Sequence, residues 1–224
     1  MVNKELQSDC RFCPDYDNSY NSLSEVNAPI FETAHFKAVP DLSPIGEGHI
    51  LIASKKHTLA TSLLGIKERV ELKRITQVIS DFNNCEHNQI TEGFEHGTGA
   101  CAFKGCVDHM HLHLLAPGKE GAKSKVEKIL DLKTTSFEAM DEIQMSEYGY
   151  FLFADKDGQL FYDTPQTPLG SQWGRQVYSY ITGVPWDWRS NLKINPDQLK
   201  AQIASVRKHY DSLKKYWQQR RKRF

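Results

Sequence analysis

Three histidines alternate with large apolar residues in Asp108-His109-Met110-His111-Leu112-His113-Leu114-Leu115. Along a β-strand successive side chains leave on opposite sides, so His109, His111 and His113 share one face and Met110, Leu112 and Leu114 the other. A strand with one face in the core has no structural use for three imidazoles. Each has two ring nitrogens that need partners, and each titrates near neutrality. Such side chains serve as nucleophiles, proton carriers or metal ligands, and they gather at functional sites. The plain alternative is an edge strand whose solvated positions are occupied by histidine, and the regular alternation of so uncommon a residue weighs against it.

Two further stretches hold chemistry-bearing groups. Cys10-Arg11-Phe12-Cys13 fits a zinc half-site, a redox pair or an accident of composition. Redox use wants the pair to open a helix after a strand, which Pro14-Asp15-Tyr16-Asp17 does not suggest. The segment from Gly97 to Val107 carries Gly97, Gly99 and Gly105 directly before the histidines. Glycines let backbone N–H groups approach an anion closely, so this segment is a candidate phosphate cradle. Taken alone it reads equally well as an ordinary glycine-rich connection.

Several elements must position these groups. Residues 31–40 and 49–53 cluster apolar side chains and end at Pro or Gly, as two antiparallel strands would. From about Ser62 to Asn83, Leu63, Leu64, Ile66, Val70, Leu72, Ile75, Val78, Ile79 and Phe82 recur near helical spacing, which predicts an amphipathic helix packed on the sheet. Residues 90–97 predict a further strand leading into the glycine segment. In the second half, Glu127 to Met140 reads as a short helix, and residues 149–162 as a hairpin with an Asp-Gly turn. A helix over about 171–182 opens at Ser171, and one long helix spans about 196–224. The last of these ends in Arg220-Arg221-Lys222-Arg223, which suits the helix dipole as a solvated tail. Contact with nucleic acid is the other use of such a tail.

The totals agree with a compact enzyme. A chain of 224 residues accommodates one well-buried core with an extension, or two small domains. A formal net charge of zero with 11% aromatic residues points neither to a polyanion partner nor to disorder. No apolar run reaches the length of a membrane span and Met1 to Leu6 lacks the apolar stretch of a signal peptide, so the expectation is a cytoplasmic protein with no membrane partner. Five cysteines, an odd number, do not suggest a secreted disulfide framework.

The run from His109 to Leu115 matches the pattern His-φ-His-φ-His-φ-φ, with φ apolar, at every position, and it resembles the signature of the histidine triad (HIT) superfamily. Asp41-Leu42-Ser43-Pro44, Gly48-His49-Ile50-Leu51-Ile52 and Lys55-Lys56-His57 are similar to the ribose-binding turn, second strand and following loop of those proteins. The resemblance runs in order from about residue 10 to 118. It implies an α+β fold: a HIT-like antiparallel sheet with a packed helix over 1–118, carrying the Cys-x-x-Cys segment. A C-terminal extension with a hairpin and helices occupies 119–224. Ser171-Gln172-x-x-Arg175 and Trp186-Asp187-Trp188-Arg189 resemble a pairing found after the triad in bacterial HIT-like proteins.

Site roles follow from the same resemblance. His111 is implied as the nucleophile that attacks the α-phosphorus of a nucleotide, and His113 as a donor to the phosphate oxygens. Asp41 is implied to bind ribose hydroxyls and Leu42 to line the base pocket. An aspartate before Pro44 serves more commonly to brace a turn. The loop places Gly105 and Cys106 at phosphate-binding positions, where relatives carry glutamine and a hydroxyl residue. Lys104, or Gln172 and Arg175 at the start of the 171–182 helix, would then take over the task of the missing glutamine. For Arg189 and the tryptophans, packing the extension on the core is an equal alternative. Glu95 stands where many relatives have asparagine. Some HIT-related proteins bind zinc through a set that maps onto Cys10, Cys13, His57 and His109, a closed and therefore structural site. A pair of buried thiols without metal is the alternative, and no organic cofactor is implied.

A third histidine at position 113, where transferases carry glutamine, favours hydrolysis of dinucleoside polyphosphates or related nucleotide conjugates. The rivals are a nucleotidyltransferase or phosphorylase, a hydrolase of adenylylated nucleic-acid ends, and a nucleotide-binding regulatory protein without turnover. The expected partner is a nucleotide, with a homodimer and nucleic acid as further candidates.

Overall fold

A computed structural model describes residues 10, 12, 28–97, 109–116, 121–170, 172–186 and 196–220. In chain order the elements are β1 (Phe31–Glu32), β2 (Phe36–Pro40), β3 (Ile50–Ser54), α1 (Ile66–His87), β4 (Glu92–Gly97) and β5 (His111–Leu115). There follow α2 (Lys123–Val126), β6 (Lys133–Thr135), β7 (Tyr150–Ala154), β8 (Leu160–Asp163), α3 (Trp173–Thr182), α4 (Pro196–His209) and α5 (Leu213–Arg220). The strands form one eight-stranded sheet in the order β1-β2-β3-β5-β4-β7-β8-β6, antiparallel at every pairing. This is the α+β antiparallel architecture expected from the sequence.

Alternation along β5 divides the sheet into two faces. Met110, Leu112 and Leu114 enter a core with Ile50, Ile52, Leu152 and the α1 residues Leu72, Ile75, Ile79 and Phe82, closed by Val206, Tyr210, Leu213 and Trp217. On the opposite face Leu115 joins Phe94, Phe151 and Phe153 under Val177, Tyr178 and Ile181 of α3. His111 and His113 share that second face, because residues two apart on a strand point the same way.

The expected elements shift in four places. The strand over 31–40 is two strands, since Thr33 N–H bonds Phe36 O at 2.9 Å and Phe36 N–H bonds Thr33 Oγ1 at 3.1 Å, folding β1 back on β2. The helix begins at Ile66, where the Glu68 carboxylate accepts from Gly65 N–H at 2.7 Å. Ile66 and Val70 are 50% and 49% exposed, because 100° per residue sets them opposite the stripe of Leu72, Ile75, Ile79 and Phe82. Leu63, before the helix, is also exposed. Residues 127–140 are not a helix: Lys133-Thr134-Thr135 pairs with Tyr162-Phe161-Leu160 as an edge strand, a pairing that suits β-branched threonines.

The long terminal helix is interrupted after His209. Tyr210 is fully buried, its hydroxyl donating to Gly48 O at 2.9 Å and accepting from Asn83 Nδ2 at 3.3 Å. A turn over 210–212 then returns Leu213 and Trp217 to the core. Arg220, expected in a solvated tail, is ion-paired with Asp81 at 3.0 Å and lies 4.3 Å over the Tyr216 ring; residues 221–223 lie outside the described residues. The 149–162 hairpin forms as expected. Gly158 N–H bonds Asp155 O at 2.9 Å and Gly158 sits at φ +76°, the left-handed position that a three-residue hairpin loop reserves for glycine. At the start of α3, Gln172 is left-handed and makes no side-chain cap, and Ser171 lies outside the described residues.

Glu95 points into the first core, away from the histidines. Its carboxylate accepts from Thr61 N–H at 2.9 Å and from the Tyr150 hydroxyl at 2.5 Å. Burial pushes its pKa up to about 7 against the lowering effect of those bonds. Between about 4.5, its ordinary value, and about 7, the folded state therefore binds more protons than the unfolded, and this group's contribution to stability falls as pH rises. Glu95→Gln keeps a hydrogen-bonding amide and removes the titration. Relative to wild type it should gain roughly 2–3 kcal/mol at pH 8 and nothing at pH 4, read by denaturant unfolding; an equal difference at both pH values would refute this.

Candidate active site

β5 lies between β3 and β4, with Leu51↔His113, Ala53↔His111 and Phe94↔His113 in register. His111 Nδ1 lies 2.6 Å from the carbonyl of His109. A carbonyl only accepts, so Nδ1 carries the proton and Nε2 presents a lone pair. Burial, then the Arg175 charge, lowers the pKa of His111 despite the bond to His109 O, which keeps the ring neutral and nucleophilic. The Phe12 ring, from the Cys-x-x-Cys segment, lies 5.4 Å from the rings of both His109 and His111.

The tautomer of His113 is set by a relay. Ile45 N–H donates to His49 Nδ1 at 2.9 Å, so His49 carries its proton on Nε2. That Nε2 lies 2.9 Å from His113 Nδ1, to which it donates. His113 is thereby left with its proton on Nε2, a donor free to serve an anion. The ring is further held by stacking on Phe94, with centroids 4.4 Å apart at 11°. Burial followed by the Arg175 charge holds His113 well below its ordinary pKa, and burial brings His49 to about 4. The relay is therefore neutral at pH 7.

Asp41 closes the cluster. Its Oδ1 accepts from Ser43 N–H at 2.7 Å, bracing the turn, while Oδ2 is ion-paired with Arg175 Nη2 and lies 3.5 Å from His49 Nε2 and 3.6 Å from His113 Nδ1. Burial raises the carboxyl pKa, but Arg175, His49 and the Ser43 N–H together outweigh it and the net shift is downward. Asp41 is fully buried, and Arg175 occupies its Oδ2. Arg175 comes from α3, and its guanidinium lies 5.6 Å over the ring of Trp186, whose Nε1–H donates to Ser43 O at 2.9 Å. The extension is thus clamped on the 41–44 turn. Trp186 packs it down, as the structural alternative for the tryptophans anticipates.

The metal set is partly described. Ligand atoms of Cys10, His57 and His109, all buried, lie within 4.8 Å of one another, with Cys10 Sγ 3.1 Å from His109 Nδ1. His109 Nε2 lies 2.7 Å from Ser54 O, so its proton is on Nε2 and the Nδ1 lone pair is turned to the cluster, as a metal-binding imidazole requires. Thiolate and imidazole suit zinc. Cys13, expected as the fourth ligand, lies outside the described residues. So do Gly105, Cys106, Lys104, Trp188 and Arg189. Leu42 is half-buried beside Asp41, and Gln172 is half-buried at the N-terminal end of α3, one turn before Arg175.

Four contributors escape inspection of the triad alone. His49 is visible as a polar residue opening an apolar strand, Gly48-His49-Ile50, and its alternation with the core residue Ile50 is the signal. Phe94 and His96 sit two apart on β4. Ser54, which orients His109, has no distinguishing sequence signal. Among the described residues, no helix is long and apolar enough to cross a membrane.

No family model matches the chain, and no curated protein matches it. Three solved structures to which it is similar are histidine triad proteins. A HIT-like protein involved in cell-cycle regulation from Bartonella henselae is 19% identical, with 45% of this chain and 80% of that one covered and a TM-score of 0.34. A hypothetical histidine triad nucleotide-binding protein from Sulfolobus tokodaii is 13% identical over 80% of this chain and 85% of that one, with a TM-score of 0.35. A zinc-bound histidine triad family protein from Mycobacterium smegmatis is 20% identical over 55% of this chain and 86% of that one, also with a TM-score of 0.35.

Proposed function

We propose that this chain is a histidine triad hydrolase that cleaves nucleotide conjugates, dinucleoside polyphosphates above all, at the α-phosphate through a covalent nucleotidyl-histidine. The observation that carries this is the pair of opposed tautomers: His111 presents a lone pair at Nε2 while His113, one step along the same face, presents an N–H. A nucleophile beside an anion donor is what in-line attack on phosphorus needs.

In the first step His111 Nε2 forms a bond to the α-phosphorus as the bond to the leaving oxygen breaks, and the leaving phosphate takes the electron pair. His113 Nε2–H donates to the non-bridging oxygens as their charge grows. Arg175 swings from Asp41 towards the phosphates, which frees Asp41 for the ribose hydroxyls, with Gln172 bordering the same anion and Leu42 the base; for Gly105 and Cys106 a phosphate-binding role rests on the family resemblance alone. Water then displaces His111 and releases the nucleoside monophosphate. Cys10, Cys13, His57 and His109 would hold a zinc ion, whose contribution there is structural, tying the N-terminal segment to the triad strand.

A panel of diadenosine polyphosphates, an adenosine phosphoramidate and an adenylylated DNA tests the assignment. AMP release, fastest from the polyphosphates, is expected. Faster release from the adenylylated DNA would give the reading to a nucleic-acid end hydrolase, transfer to inorganic phosphate or a sugar phosphate to a transferase, and tight binding without turnover to a regulatory protein.

A further inference from the structure

His96 stands on the catalytic face and has no part in the steps above. On β4, Phe94 pairs with His113 of β5 and Phe153 of β7, and His96, two residues on, pairs with Phe151. All of these side chains share one face of the sheet. The β4·β5 ladder ends at Phe94↔His113, and its continuation by two residues sets His96 against His111. The two rings feel one another, since His96 is among the groups that lower the pKa of His111.

One nitrogen of His96 donates to the backbone carbonyl of Tyr148. The other, Nε2, is buried and has no hydrogen-bond partner among the described residues. With the proton committed to the Tyr148 bond, Nε2 is an acceptor. Burial lowers the pKa of His96 more than that bond raises it, so the lone pair is kept. An acceptor gains nothing beside a phosphate oxygen, which has lone pairs of its own and is served here by the donors His113 and Arg175. It fits a group that brings a proton.

We propose that His96 is the general base of the second step, taking a proton from the water that attacks the nucleotidyl-His111 intermediate; this rests on the covalent reading given above. As the water oxygen bonds to phosphorus, its proton passes to His96 Nε2. The P–N bond breaks, its electron pair returning to His111 Nε2, and the imidazolium of His96 then releases the proton to solvent. An acceptor poised for water also accounts for hydrolysis in place of transfer, and it names a catalytic residue that the triad motif does not contain.

The test uses the full chain with α-labelled diadenosine tetraphosphate, rapid mixing and an alkaline quench, which preserves a phosphorus–imidazole bond. His96→Asn retains an N–H for the Tyr148 carbonyl. It should form labelled protein at close to the wild-type rate, accumulate that label, and turn over about 10²-fold more slowly. In His96→Ala, added imidazole should restore part of the turnover. Equal near-ultraviolet circular dichroism spectra establish that the variants are folded. Wild-type turnover in His96→Asn without accumulated label, or an equal loss of labelling and turnover, would overturn the proposal while the covalent reading stands. Failure of that reading is seen separately, as label formation that survives in His111→Ala.

Discussion

His111→Ala releases AMP from diadenosine polyphosphates at least about 10⁴-fold more slowly than wild type, a barrier increase of roughly 5–6 kcal/mol. The size follows from what the side chain supplies. His113 still donates through Nε2, held by His49, and Arg175 still carries its charge, so nucleotide binding and some electrostatic stabilisation survive. Neither neighbouring imidazole of the triad replaces the lost nucleophile: in the folded chain His113 Nδ1 is engaged by His49 and His109 Nδ1 faces Cys10. Substrate affinity should change little, giving a loss in kcat with KM nearly constant, as measured by steady-state AMP release. Loss of less than about tenfold would remove His111 from the nucleophile's role.

Metal removal is expected to have the second large effect, because His109, a candidate metal ligand, also supports the proposed nucleophile His111. His109 offers Nδ1 towards Cys10 and His57, while its main-chain carbonyl accepts from His111 Nδ1. A zinc ion on Cys10, Cys13, His57 and His109 would fix that peptide, and with it the tautomer that exposes the His111 lone pair. It would also hold Phe12 against both rings. Elemental analysis of the purified chain should find one zinc per protein. Cys10→Ser should lose it, lower Tm by several degrees and reduce kcat by about 10- to 100-fold, the usual cost when the support of a site is loosened. Wild-type protein free of metal, or a Cys10→Ser variant with unchanged Tm and kcat, would dissolve this link.

The legible parts of the fold were those with a short period. β5 follows from alternation, β3 from its short apolar run and the 149–162 hairpin from Asp157-Gly158, since in each case the local pattern and the tertiary environment agree. Where several apolar residues fell near helical spacing, the pattern over-counted: Ile66 and Val70 belong to α1 but not to its buried stripe. Lys133-Thr134-Thr135 was hidden because its partner, β8, lies 25 residues downstream. The break at Tyr210 depends on Gly48 and Asn83, both more than 120 residues away, and helical propensity says nothing about such anchors. The candidate site divides the same way. The alternating histidines announced which atoms could react, and the carbonyl that sets the His111 tautomer, His109 O, lies two residues back in the same run, whereas the partners that set the other two, His49 and Ser54 O, come from the neighbouring strand region. Asp41 and Arg175 each stand in a motif the sequence displays, but their ion pair, which joins the two halves of the chain, has no local signature.

In the proposed reaction two displacements occur at one phosphorus, the first by His111 and the second by water. Hydrolysis of a dinucleoside polyphosphate made chiral at the α-phosphorus with sulfur and ¹⁸O reports that number directly, since each in-line displacement inverts the centre. Two inversions predict a product with net retention of configuration. Net inversion would mean that water attacks the substrate itself, and would contradict a nucleotidyl-His111 intermediate.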